Sequence, residues 1–132
     1  MQVVVSIQSN HFSRIAAQLP GVARQLAMET ALKIEAEVKT GMAAAKSGEI
    51  YDNHQASAPG EMPAIDPGNL ANSITSEYDG PTGAVVYTNV GYAPDLEYGT
   101  VHMEARPFFT PAAEEVRPFF EGVARVIGER LR

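Results

Sequence analysis

A chain of 132 residues without a single cysteine has room for one hydrophobic core, and it excludes disulfide staples, thiol catalysis and thiolate metal sites. An apolar fraction of 45 % with 20 % charged residues is ordinary for a globular protein, and no apolar run approaches the roughly 18 residues that span a bilayer. The expectation is one soluble domain over residues 1–132. The formal charge of −6 argues against tight wrapping of nucleic acid, which rests on Lys and Arg neutralising phosphates.

The opening Met1-Gln2-Val3-Val4-Val5-Ser6-Ile7 lacks the basic start, longer apolar core and cleavage site of a secretory signal, so nothing in it predicts export. Its β-branched run favours a strand over residues 2–8. Ser9 and Asn10 are placed to cap a short helical piece through about Leu19, where Pro20 blocks simple continuation. Pro20 suits the start of a new helix, since its missing N–H has no intrahelical partner there. From that point Ala23, Leu26, Ala27, Thr30, Ala31, Ile34, Val38, Met42 and Ala45 recur at steps of three and four. The spacing predicts a long helix with one apolar stripe, the main slab against a sheet. Burying each large member contributes about 1.5–3 kcal/mol. Arg24, Glu29, Lys33, Glu35, Glu37 and Lys39 fall mostly on the other side, and their mixed sign speaks against a membrane-surface helix.

Residues 46–67 break every period with Ser47, Gly48, Asp52, Asn53, Pro59, Gly60, Pro63 and Pro67, and predict a long flexible loop. Connections of about 20 residues are uncommon inside a domain, which leaves open a binding loop, an arm over a neighbouring subunit, or simple flexibility. One helical turn over 68–73 would seat Leu70 in the core. A strand over 74–78, the turn Asp79-Gly80-Pro81-Thr82-Gly83 and a returning strand over 84–90 then form a hairpin. Ile74, Ser76 and Tyr78 share one face by the two-residue period, as do Val85, Tyr87 and Asn89 on the partner strand. The polar alternation predicts that one hairpin face is solvated or covered by another subunit.

Residues 94–98 predict a helical turn closed by Gly99 at positive φ. Residues 101–105 are expected to be extended, and Arg106 before Pro107 is biased the same way. Thr110 as capping residue and Pro111 in the first turn open a last helix, with Glu114 and Glu115 near its positive end. Its stripe of Ala112, Val116, Phe119 or Phe120, Val123, Ile127 and Leu131 runs to the end. Pro118 is expected to kink this helix or divide it, and Arg125, Arg130 and Arg132 complement its negative end. The fold class is α+β: a small, mostly antiparallel sheet packed against a long N-terminal helix and a C-terminal helix.

Two motifs stand in order along the second half. Gly68-Asn69-Leu70-Ala71-Asn72-Ser73 carries a glycine-x-leucine-x-x-serine signature. Further on, Tyr92-Ala93-Pro94-Asp95-Leu96-Glu97-Tyr98-Gly99-Thr100 precedes Arg106-Pro107-Phe108-Phe109-Thr110-Pro111-Ala112. Together they resemble the neck and tail-completion proteins of long-tailed bacteriophages, which join a filled head to a tail. The resemblance implies a structural virion protein rather than an enzyme, with no cofactor and no metal. Copies would form a homo-oligomeric ring at the head–tail junction, as a tail-completion or tail-terminator type, after assembly in the host cytoplasm. The ring would meet head-completion or connector proteins and tail tube proteins, with no membrane partner, while DNA passes through without sequence-specific binding.

An acidic balance suits such a conduit wall, although solubility alone also explains it. The interface residues that the resemblance implies are Leu70, Ser73, Tyr92, Ala93, Glu97, Tyr98, Gly99, Thr100, Arg106, Pro107, Phe108 and Pro111. At Asn69 and Ala71, where the family often has a basic residue, this chain is neutral. A ring needs two different patches that meet head to tail. The 46–67 loop with the hairpin edge is the candidate for one, and residues 97–109 for the other.

Other chemistries find less support in the residues. His11, His54 and His102 lie far apart and without metal-ligand spacing. The alternative reading is a small metal-dependent hydrolase using Asp95, Glu97 and His102, with Glu104 nearby, but carboxylates without a recognisable pocket are usually solvated charges. There is no Gly-x-Ser-x-Gly elbow, and Gly80-Pro81-Thr82-Gly83 has neither the length nor the lysine of a phosphate loop. Tyr92, Tyr98, Phe108 and Phe109 lack the basic surround of a base-stacking platform and read as core or interface anchors.

Overall fold

Helix α2, Pro20–Ala43, is the element on which the rest is laid. The computed structural model describes residues 3–6, 10–44, 46–48, 50–51, 54–55, 57–63 and 69–131. Within α2 every expected stripe residue is buried: Ala23, Leu26, Ala27, Thr30, Ala31, Ile34, Val38 and Met42. Ala45 lies outside the described residues. Thr30 is the polar member of this set, and its hydroxyl donates to the Leu26 carbonyl at 2.8 Å, so burial leaves no hydrogen bond unmade. Pro20 opens the helix as expected. Helix α1, Asn10–Gln18, precedes it, and the two are joined through Leu19, whose N–H donates to the Ile15 carbonyl at 2.6 Å. The proposed cap Ser9 lies outside the described residues.

The sheet has three antiparallel strands in the order β1 (Val3–Ser6), β5 (Gly83–Thr88), β4 (Thr75–Asp79). The β4–β5 hairpin is the one expected, with Asp79 paired to Gly83 across the turn. Its register sets Ser76 opposite Val86 and Tyr78 opposite Ala84. Ile74, Ala84, Val86 and Thr88 are buried on that face, which meets α2: the Ser76 hydroxyl donates to the Glu35 carboxylate at 2.8 Å, and the Arg24 guanidinium lies 3.7 Å from the Tyr78 ring centroid. On the other face, Tyr87 donates its hydroxyl to Glu77 at 2.7 Å, and this bond raises the Tyr87 phenol above its ordinary value.

The last helix, α5, covers Phe109–Glu129. Phe109, Ala112, Val116, Phe120, Ala124 and Gly128 are its buried row, packed chiefly on α1 and α2. Phe12 and Phe120 meet with ring centroids 5.4 Å apart, and Gly128 lets the helix close on His11, where a Cβ would stand 3.2 Å from the histidine. The α+β class holds, with α2 in the middle: it carries the sheet on β4 and β5 and also packs on α1 and α5. Pro118 does not divide the helix, which continues through it. The proline sits on the exposed side, where solvent can satisfy the carbonyl that loses its partner.

The 46–67 connection holds more structure than expected. It contains the antiparallel pair β2 (Ile50–Tyr51) and β3 (His54–Gln55). Lys46 donates its ammonium to the Gly41 carbonyl at the end of α2, and the Met62 thioether occupies the space that a Cβ on Gly41 would need. Residues 64–68, including the Gly68 of the first motif, lie outside the described residues. Helix α3, Asn69–Ser73, follows and buries Leu70 as expected.

Candidate assembly interface

The second motif folds as a bracket that leaves the body of the protein, turns and returns to start α5. Helix α4, Ala93–Tyr98, forms its first arm, with Pro94 in its first turn. Gly99 ends it at φ 78, ψ 174, a region essentially restricted to glycine rather than the left-handed helical well. A Cβ here would also lie 2.9 Å from the Ala105 nitrogen and 3.0 Å from the Met103 oxygen. Both constraints demand the glycine.

Residues 101–105 are not extended throughout. Thr100 and Met103 bond backbone to backbone in both directions, at 2.8 and 3.3 Å, and the Thr100 hydroxyl accepts the His102 N–H at 3.1 Å. The result is a tight turn with Val101 at its apex, 95 % exposed. The chain then returns along α4, where the Arg106 N–H donates to the Leu96 carbonyl at 2.7 Å. The Arg106 side chain donates to the Ser57 and Glu104 carbonyls, each at 3.3 Å, and the Gly60 N–H donates to the Ala105 carbonyl at 2.9 Å. These bonds tie part of the 46–67 connection to the bracket.

The bracket closes on the start of α5. A helix leaves its first N–H groups without intrahelical partners, and the side chain at the N-cap position, Phe108, offers no acceptor. Glu97 supplies it from α4. Its Oε1 accepts the Phe109 N–H at 2.7 Å and the Phe108 N–H at 3.4 Å, and its Oε2 accepts the Thr110 N–H at 3.4 Å. Thr110, expected as the cap, is instead inside the helix and is itself served by Glu97. An acceptor of negative character is favoured at this end by the helix dipole, and Glu97 is only 4 % exposed.

A second carboxylate works in the same way nearer the surface. Glu61 accepts the Ser47 N–H and hydroxyl, both at 3.0 Å, and the Ala58 N–H at 2.7 Å. The backbone bonds from Ala58 and Ser47 hold its carboxyl below the usual range, with the Lys46 charge adding to them. Burial pulls the Lys46 ammonium below its ordinary value, and Glu61 partly offsets this.

The expected interface residues therefore divide. Leu70, Ala93, Glu97 and Phe108 are buried within this chain. Phe108 stacks at a tilt on Phe109 with centroids 4.8 Å apart. Ser73, Gly99, Arg106, Pro107 and Pro111 are half-buried. Ser73 donates to the Leu70 carbonyl and shares a 2.6 Å hydrogen bond with Thr88, which fastens α3 to the sheet. Tyr92, Tyr98 and Thr100 reach the surface, Tyr98 at 72 % exposed. Asp95 and His102 are exposed as well, while Glu97 faces inward, so the hydrolase trio is not assembled. Among the described residues no group of three or more His, Cys, Asp or Glu is arranged to hold a metal ion.

One surface feature was not read from the sequence. Pro118, Phe119, Gly122, Val123, Val126 and Ile127 line an open groove of about 440 Å³ along α5, with the Lys33 ammonium 4.6 Å from the Phe119 ring centroid. Its signal is the row Pro118, Gly122, Val126, which repeats every four residues without a charge and widens the apolar stripe beyond what the core uses. No helix among the described residues is long and apolar enough to cross a membrane. Set against known protein families, curated proteins and solved structures, the chain matches none of them.

Proposed function

We propose that this chain is a structural subunit of the neck of a long-tailed bacteriophage, and that copies of it close into a ring around the DNA conduit where head meets tail. Its partners are then further copies of itself, with connector or head-completion proteins on one side and tail tube proteins on the other. The observation that carries this reading is the division of labour within the 92–112 bracket. Glu97 and the Arg106 backbone and side chain are engaged in internal bonds that stiffen it, while Tyr92, Tyr98 and Val101 stand 46 %, 72 % and 95 % exposed. Large apolar and aromatic groups held outward on a stiff support are what a protein interface uses, since little ordering cost remains when they dock. A charge of −6 further suits a wall past which DNA slides without adhering.

The test is loss and rescue in the virus. Particles made without the chain are expected to give filled heads and separate tails by electron microscopy, and the intact chain is expected to restore joining. A Val101→Asp variant, altered at a fully solvent-facing apex, is expected to fold as the wild type does and yet fail to rescue. Normal tail attachment in the complete absence of the chain would overturn the reading.

A further inference from the structure

The two outer strands of the sheet are guarded very differently. Strand β5 is paired on both sides, which leaves β1 and β4 each with one row of backbone N–H and C=O groups that no strand among the described residues meets. Such a row is a template for a further strand, and proteins commonly blunt it with charged side chains or proline. β4 is blunted in this way: Glu77 and Asp79 are exposed, and Pro81 follows in the turn. β1 is not. It reads Val3-Val4-Val5-Ser6, and residues 1–13 contain no Asp, Glu, Lys, Arg, Pro or Gly. A β-branched, uncharged edge carries the residues that favour strand addition and none that oppose it.

Charge and strand direction select the occupant. β1 and β4 both run antiparallel to β5, so they run parallel to each other. Copies set side by side in the same sense would bring β1 of one against β4 of the next in parallel, the weaker pairing per residue, and at the guarded edge. Two β4 edges would set Glu77 and Asp79 against the same carboxylates of the other copy, and like charges across a strand pair are unfavourable. Two β1 edges related by a two-fold axis perpendicular to the sheet meet antiparallel and oppose no charges. For chains that each carry −6, β1 is the edge that adds nothing to their repulsion.

We infer that the free chain forms a two-fold dimer in which β1 pairs antiparallel with β1 of a second copy, so that two three-stranded sheets become one continuous sheet. A two-fold contact is satisfied by two copies and does not repeat around a ring. The dimer therefore does not rest on the ring reading above and describes the chain on its own. Register sets Val4 opposite Tyr87 and Ser6 opposite Val85, on the face turned away from α2. Tyr87 and Val85 are only half-buried, so a charged residue opposite them stays near solvent in the single chain.

The test is sedimentation equilibrium at about 0.15 M salt, where long-range repulsion is largely screened. The unaltered chain is expected to dimerise. Val4→Lys and Val4→Glu, each alone, are expected to dimerise about tenfold more weakly, because identical strands bring like charges together. An equimolar mixture of the two is expected to regain the lost affinity as a mixed dimer. Circular dichroism reports whether each variant folds, and Ser6→Lys with Ser6→Glu repeats the test at a residue already polar should either fail to. A dimer strengthened by the lysine and weakened by the glutamate would put β4 and its Glu77 beside β1. Loss in both variants without recovery on mixing would put another segment there. Association indifferent to both variants, or an unaltered chain that stays monomeric, would leave the edge unused. Each of these outcomes overturns the β1 pairing, whereas loss and rescue in particles decides the ring reading separately.

Discussion

Glu97 connects the bracket to the helix that follows it, and its removal can be weighed against an alternative within the same few residues. Glu97→Ala would leave the Phe108, Phe109 and Thr110 N–H groups without their acceptor at a site where water has little access. Loss of a helix cap together with buried unmet donors costs about 2 kcal/mol, expected as a lower urea midpoint at unchanged slope. Glu97→Gln keeps a carbonyl oxygen for the 2.7 Å bond to Phe109 and gives up the longer 3.4 Å bond from Thr110, because its NH2 group cannot accept, so its effect should be smaller. Thr110→Val should be close to neutral, because the Thr110 side chain is exposed and does not cap. If Thr110→Val proved the more destabilising, the cap would have been assigned to the wrong residue.

At the scale of elements, Glu61 is the clasp that draws the 46–63 stretch together. Its carboxyl is held below the usual value, so the stabilisation is present above the unfolded-state value of about 4.3 and is lost as pH falls through the lower folded-state value. Hydrogen exchange at the Ser47 and Ala58 amides, corrected for intrinsic rates, should show protection at neutral pH that fades below about pH 4, near and beneath that reference. A Glu61→Gln chain should lack this pH dependence. Equal protection of the unaltered chain at pH 6 and pH 3 would remove the clasp from the account.

What was legible from the sequence follows the same distinction between near and far. The α2 stripe, the Pro20 start and the Asp79–Gly83 turn depend on neighbours within one helical turn or one hairpin, so periodicity and turn chemistry reveal them. The Glu97 cap crosses 12 residues to Phe109, and the Gly60–Ala105 bond crosses more. No local pattern announces either, so a nearby threonine looks like the cap and a fastened connection looks like an open loop. Of the candidate site, the motif region was visible, but which of its residues are internal supports was not. Leu96, whose carbonyl receives Arg106, and the α5 groove were missed because one acts through its backbone and the other through an absence of charge.

For the whole molecule, the net charge sets how copies should respond to salt. Every copy carries −6, so copies repel at long distance. A domain of this length has a radius of gyration of about 14 Å, which puts neighbouring centres about 30–40 Å apart. Repulsion over that span is felt at about 0.01 M salt, where the screening length is about 30 Å, and is largely gone at 0.15 M, where it is about 8 Å. Self-association into the proposed ring should therefore strengthen from about 0.01 M to about 0.15 M salt, as read by sedimentation equilibrium across a salt series. Charge reversal of the exposed pair, Asp95→Lys with Glu104→Lys, takes the net charge from −6 to −2 and should flatten that rise, because most of the repulsion being screened is then removed. An association that weakens with every addition of salt would mean that charge pairing, not apolar burial, joins the copies.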